Sequence, residues 1–308
     1  MSSIGTPWLW GVFALVVVTA LAIDLGIFNR QPHEPRIREA GMWVGLWLAL
    51  AGLFNVYVIL SFGLAKGLEF TQGYLLELAL STDNLFVFLL IFAYFKVPRA
   101  YQHRVLFWGI VGAVLTRGIF IAVGAAVIHR FHWVLYVLGA FLMYAAVRIV
   151  VQKDRDIDPS KNAVLRVFRR VVRMAEDDTG PYFTVRRDGK RWATPLLAVL
   201  IVIETVDVTF AVDSIPAVFG VTTDVFIVLT SNVFAVLGLR SLFFLVSGLA
   251  QKLAYLDYGI AAVLAFVGLK IVIRPWLDIP VVPSLAIILG VLSLAAALSL
   301  ALRQRLSR

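Results

Sequence analysis

Two apolar stretches carry acids at regular spacing. The first, 75–88, holds Glu77, Ser81, Thr82, Asp83 and Asn84; the second, 202–219, holds Glu204, Thr205, Asp207, Asp213, Ser214 and Pro216. In both an acid is followed six residues later by an aspartate: Glu77 and Asp83, then Asp207 and Asp213. A charged side chain at mid-bilayer costs roughly 2.5–3.5 kcal/mol on insertion scales. Five such acids in two segments long enough to cross a bilayer therefore point to use, and the chemistry they offer is cation binding. Glu77, Asp83, Asn84, Glu204, Asp207 and Asp213 are the candidate metal ligands, with hydroxyl oxygens beside them. Carboxylate, amide and hydroxyl oxygens suit hard cations such as Mn²⁺, Mg²⁺ or Ca²⁺. The chain has no cysteine and no histidine deep in an apolar run, which disfavours zinc and copper. Sodium or proton coupling stays open.

Helix geometry limits how these acids can cooperate. At 100° per residue, acids six apart lie about 120° apart in azimuth and about 9 Å along the axis, so they do not share a face. A common ion needs a partner helix or a local break. Pro216 is the candidate break, since it lacks an N–H and clashes with the carbonyl of Val212. Glu204 and Asp207, three apart, do share a face. Arg117, Arg240 and Lys270 also fall within apolar runs and are the candidate counter-charges. Pairing Asp83 with Arg117 and Asp213 with Arg240 is the purely structural alternative. It leaves two or three carboxylates over, which one divalent ion or protonation would answer. Asn55 and Asn232 read as interhelical hydrogen-bond partners.

The elements that must position these groups are membrane helices. Of 308 residues, 61% are hydrophobic and 15% charged, against roughly 25% charged in soluble domains. That balance excludes a soluble enzyme with one apolar tail, and the absent cysteine excludes disulfides and thiol nucleophiles. Nine candidate spans follow, at about 8–28, 41–62, 70–95, 105–127, 133–151, 194–218, 224–248, 256–273 and 284–302. The first is as long as a full span and reads as one, not as a cleaved signal. The expected fold is thus an all-α, polytopic membrane bundle, with residues 1–308 a single transmembrane domain.

Lysine and arginine set its orientation. With the N-terminus outside, 22 of the 28 fall in inner segments and 3 outside, at Lys66, Arg130 and Arg274. The net charge of +9 accordingly signals orientation and not nucleic-acid binding. The basic loop at 152–193 includes an amphipathic helix candidate, Val164–Met174, suited to an anionic lipid surface. Beyond it, 182–192 reads as a hairpin about Asp188-Gly189.

The acidic motifs recur in register with other features. Glu77 and Asp83 in span three match Asp207 and Asp213 in span six. Ala113-Val114-Leu115 before Arg117 resembles Ala235-Val236-Leu237 before Arg240, and Tyr136 to Arg148 matches Tyr258 to Lys270, twelve apart in both. Spans 3–5 and 6–8 therefore read as two three-helix units. Three is odd, so the second unit enters from the opposite side: an inverted repeat, as in transporters with a midplane site.

At these residues the chain resembles the TerC/Alx family. The resemblance rests on the two acidic motifs together with Phe92–Pro98, Tyr101–Arg104, Phe131-His132-Trp133, Thr194-Pro195-Leu196 and Thr230–Ser241, and covers spans one to eight. It implies a multi-pass protein of the bacterial inner membrane. Members are named for tellurium resistance, one branch is named a membrane-bound redox modulator, and members are associated with Mn²⁺ export. Taken with the all-oxygen donor set, the expected function is Mn²⁺ export across the membrane, with Mn²⁺ as the transported ion and no tightly bound cofactor. An accessory protein for metal delivery or for tellurite and redox stress is the alternative. An intramembrane aspartyl protease would share a proton between Asp83 and Asp213. Its Gly-x-Gly-Asp signature is absent here, because Asp213 follows Phe210-Ala211-Val212. No enzymatic role is therefore expected. The sequence sets no oligomeric state, transport direction or coupling ion.

Overall fold

The computed structural model describes residues 3–28, 37–131, 133–151, 165–168, 172–175, 180–187, 189–247, 256–277 and 279–306; the side chains of 24–28, 83, 86, 246, 256–257 and 300–306 are not among those described. The helices are α1 (Pro7–Phe28), α2 (Ile37–Phe62), α3 (Leu64–Tyr94), α4 (Arg99–Arg130), α5 (Val134–Val151), α6 (Pro195–Phe219), α7 (Val225–Leu237), α8 (Leu239–Ser247), α9 (Leu256–Ile273) and α10 (Val281–Leu306). A hairpin of β1 (Thr184–Arg187) and β2 (Lys190–Ala193) lies between α5 and α6. The protein is a polytopic helical membrane protein.

All nine expected spans are helical. Seven are long and apolar enough to cross a membrane, while Pro7–Ile23 and Tyr258–Ile273 are shorter apolar helices over their described lengths. Four helices, α2, α3, α4 and α10, outgrow their expected limits by three residues or more, because the backbone ladder continues beyond the apolar run. The expected seventh span is two helices, α7 and α8, which meet at Gly238. Pro195 opens α6 in its first turn, where its missing N–H would have had no partner in any case. The hairpin forms as expected, with Gly189 at φ 73° in its turn. The expected helix 164–174 is only partly observed. Leu165–Phe168 is helical, but Met174 bridges Ala193 in extended form, so the hairpin takes the end of that segment. Residues 164 and 169–171 lie outside the described residues.

Burial sorts the helices into centre and periphery. In Val225–Leu245 the apolar window is 83% buried, against 17–22% in α2, α4, α5 and α10. A helix hidden in this way is surrounded by other helices and not by lipid. Around the centre, α4 turns Leu115, Ile119 and Val123 outward, a stripe at four-residue spacing that suits hydrocarbon. Its opposite face carries Ala113, Arg117 and Ile121 into the bundle. Aromatic rings join α1, α2, α3 and α7: Trp10 to Phe226 at 4.9 Å, Phe54 to Phe234 at 4.9 Å and Phe54 to Phe70 at 5.3 Å.

The strongest helix pairings are α5 with α9, α3 with α7 and α4 with α6; α2 with α3, α9 with α10, α3 with α6 and α4 with α7 follow. The α5–α9 pair is very close. A Cβ on Gly139 would lie 3.0 Å from the Gly268 carbonyl oxygen, and one on Gly268 only 2.6 Å from that of Gly139. Leu135 and Tyr136 meet Lys270, Ile271 and Arg274 around one cavity, so the two helices run antiparallel. Small residues are what lets membrane helices approach this closely.

Candidate functional site

At the centre of the bundle one arginine holds two of the expected acids. Arg117 comes from α4 and is fully buried. Its Nη2 donates to Asp207 Oδ1 at 3.0 Å and its Nε reaches Asp207 Oδ2 at 3.4 Å, a forked contact with α6. Its Nη1 pairs with Glu77 Oε1 of α3 and donates to Asn232 Oδ1 of α7 at 3.3 Å. Asn232 closes the ring, its Nδ2 donating to Glu77 Oε2 at 2.9 Å. Ser81 Oγ donates to Glu77 Oε1 at 3.3 Å. Four helices thus meet on one guanidinium, and Asp207 is the central residue of the 25-residue α6.

Spacing explains which acids face inward. Residues seven apart on a helix lie about 20° apart in azimuth. Glu77 therefore shares its face with Asn84, and Asp207 with Ser214; all four are buried. Asp213, six residues after Asp207, lies about 120° away from that face. Asp213 is half-buried and has partners of its own. The side chain of Asp83 lies outside the described residues. A partner helix, not a break, is what brings acids of the two motifs together: α6 continues through Pro216 to Phe219. Only three residues follow the proline, so the interruption expected there reduces to one lost hydrogen bond, at Val212.

Glu204 is placed differently. It is half-buried, and among the described residues it makes no hydrogen bond or ion pair. Its carboxylate lies against the α4 backbone where a Cβ on Gly112 would be. Only glycine leaves that notch open. Asp207 and Arg240 line a small cavity on the same side, with Gly109, Ala113 and Ile203. Arg240 is buried with partners of its own, and Lys270 is buried at the end of α9, away from this cluster, its Nζ donating to Ser284 Oγ at 3.3 Å.

The charge balance of the described cluster is negative. Glu77 and Asp207 bring two carboxylates to the one guanidinium of Arg117, and Glu204 is a third acid, without a hydrogen bond or ion pair among the described residues. The hydroxyls of Thr82 and Thr205 donate to the carbonyls of Leu78 and Ile201, which leaves their lone pairs free. Ser214 Oγ is buried with no hydrogen-bond partner among the described residues. By sequence Asn232 is a helix–helix hydrogen-bond partner; in the fold it is that and also part of the site. Its place eight residues before Arg240, in the repeat copy of the Arg117 segment, is the signal that could have found it. For Gly112, nothing but the fold gives it Glu204 as a neighbour. Asn55 does bond between helices, its Nδ2 donating to Thr71 Oγ1 at 2.7 Å.

Comparison with known proteins agrees with the arrangement of motifs. The sequence model of the integral membrane protein TerC family matches residues 62–307. The chain is 45% identical over 298 residues to the uncharacterized membrane protein STKORF319 of Myxococcus xanthus, covering 97% of this chain and 93% of that one. It is 43% identical over 301 residues to an Escherichia coli K12 protein with the provisional name membrane-bound redox modulator Alx, covering 95% and 94%. The Salmonella typhi protein of the same name is 44% identical over 303 residues, covering 96% and 94%. No solved structure matches the chain. With the family model spanning most of its length and relatives this similar end to end, the chain belongs to the TerC family of integral membrane proteins.

Proposed function

We propose that this protein is a secondary transporter of a hard divalent cation, exporting Mn²⁺ from the cytoplasm. The observation that carries the reading is the negative balance at the bundle centre: Glu77 and Asp207 share one guanidinium, and Glu204 has no counter-charge among the described residues. A buried charge is costly unless it is paired, and a mobile cation is a partner that need not be permanent. Glu204, Asp207 and Glu77 would take the ion, with Asn84 and the unpartnered Ser214 hydroxyl on the same inward faces. Asp83 and Asp213 would extend the path along α3 and α6. The ion and Arg117 compete for Glu77 and Asp207, so binding moves the arginine and release returns it.

The helix pairing supports an inverted repeat around this centre. Exchanging α3 with α6, α4 with α7 and α5 with α9 leaves the five strongest pairings among these six helices unchanged as a set. The reciprocal approach of Gly139 and Gly268 fits the same exchange. Alternating access would then be a rocking of one unit against the other about a fixed site. The lysine and arginine count supports an N-terminus outside and a C-terminus in the cytoplasm, and membership of the TerC family supports a bacterial inner membrane.

The relatives' name favours a second reading, a role in redox balance. This chain has no cysteine for thiol exchange, so such a role would come through metal supply. Reconstitution separates the two. Liposomes containing only the full-length protein should move ⁵⁴Mn²⁺ faster than empty liposomes, and Asp207→Asn should abolish the difference. No flux above empty liposomes would refute transport by the protein alone.

A further inference from the structure

The loop at 152–193 joins the end of α5 to the start of α6 and so marks one end of the bundle. At the opposite end a cavity of about 490 Å³ opens between α3, α5, α9 and the start of α10. That is within the range of roughly 300–1,000 Å³ usual for small-ligand sites. It lies away from the central cluster: Glu69 on its wall precedes Glu77 by eight residues, about 12 Å along α3.

Its charges are unexpected for that end. Lys66, Arg130 and Arg274 are the three basic residues that the sequence places there, with Lys270 at the edge of its span. Lys66, Arg274 and Lys270 all line this one cavity. Membrane orientation selects against lysine and arginine on this side, so their convergence calls for another cause.

The two carboxylates on the wall are already engaged. Glu69 Oε2 takes Lys66 Nζ at 2.9 Å and Thr222 Oγ1 at 2.6 Å. Asp224 takes Ser3 Oγ at 2.7 Å and the backbone N–H groups of Ile4 and Phe226 at 3.0 and 3.1 Å. A cation entering the cavity meets acids that are spent. An anion meets Arg274, which is exposed and makes no ion pair among the described residues, and one turn earlier the ammonium of Lys270, which is buried, donates to Ser284 and has further partners of its own. Thr223 adds a hydroxyl. Trp133, Tyr136 and Trp276 are exposed at the same helix ends, the aromatic pattern of a membrane–water interface.

We propose that this cavity binds a phosphate group, held by Lys270 and Arg274, at the level of the lipid headgroups. Guanidinium and ammonium together suit a phosphate, the first as a fork and the second as a point charge. The group comes either from an anionic phospholipid or from free phosphate.

Binding to the purified full-length protein, delipidated in a maltoside detergent, tests the assignment. The probes are dihexanoyl phosphatidylglycerol and inorganic phosphate, read by the shift in melting temperature and by calorimetry. At least one probe should bind the wild type. Arg274→Gln should bind it roughly tenfold more weakly, the loss of one charge-assisted hydrogen bond, and Arg274→Glu should abolish binding. Arg130→Gln, a basic residue of the same end outside the cavity lining, should bind as wild type does. Binding of phosphatidylglycerol alone identifies a lipid; binding of inorganic phosphate as well identifies a free anion. Lys270→Gln repeats the test at the buried group, and the exposed Arg274 carries it should that variant fail to fold. If neither probe binds, or if the Arg274 variants bind like wild type, the proposal is overturned.

Discussion

Replacing Arg117 by glutamine tests the central cluster most directly. The wild-type guanidinium is fully buried and makes contacts to Glu77, Asp207 and Asn232, with the Asp207 fork at 3.0 and 3.4 Å. Glutamine keeps a polar head but removes the one guanidinium that Glu77 and Asp207 both contact. Removing one partner of a buried ion pair costs about 3–5 kcal/mol, because the other charge stays buried and unanswered. Here two carboxylates are left. A divalent cation can answer both, and it no longer has to displace an arginine. Mn²⁺ should therefore bind Arg117→Gln at least about 100-fold more tightly than wild type, the equivalent of about 3 kcal/mol. Thermal unfolding of the chelator-treated proteins, with and without MnCl₂, reads both effects. Without metal the variant should melt well below wild type, and saturating Mn²⁺ should close most of that gap. Transport should fall, since the ion is held and nothing returns to expel it. Arg117→Lys keeps the charge without the fork and should bind Mn²⁺ close to wild type. Equal Mn²⁺ affinity in wild type and Arg117→Gln would refute the competition between ion and arginine.

Further changes probe the framework. Gly112→Ala places a methyl group where the Glu204 carboxylate lies; it should cost about 1–3 kcal/mol as overpacking and reduce Mn²⁺ flux. Thermal melts should show the stability restored, though not the flux, when Glu204→Ala is added. Gly268→Ala pushes α9 off the Gly139 carbonyl and should lower stability by about 1–3 kcal/mol, seen as earlier unfolding in detergent. Asp224→Ala removes the N-cap of α7 together with the anchor for Ser3 and Ile4. It should cost about 1–2 kcal/mol and speed amide exchange in the first turn of α7.

The membrane fold was legible because hydrocarbon permits few alternatives. Apolar runs of span length must be helices there, since every backbone group has to be satisfied within its own segment. The nine runs accordingly all appear as helices, and β1 and β2 pair as a hairpin on either side of Gly189. Errors fall where local signals compete with long-range contacts. Met174 has amphipathic neighbours that suit a helix, but Ala193 offers it an extended pairing. Pro216 has the chemistry of a break, but so near the end of α6 it has almost no helix left to bend.

Taken alone, the sequence determined the chemistry on offer: oxygen ligands, an excess of acid over base, and the six-residue spacing that keeps paired acids off a common face. Only the tertiary structure decided the partners. One arginine joins Glu77 to Asp207, Asn232 closes that ring, and Glu204 rests in the notch at Gly112. The physical reason is that spacing along a helix fixes azimuth within that helix alone. Which faces meet depends on how closely the backbones can approach, and that is set by small residues scattered across separate spans.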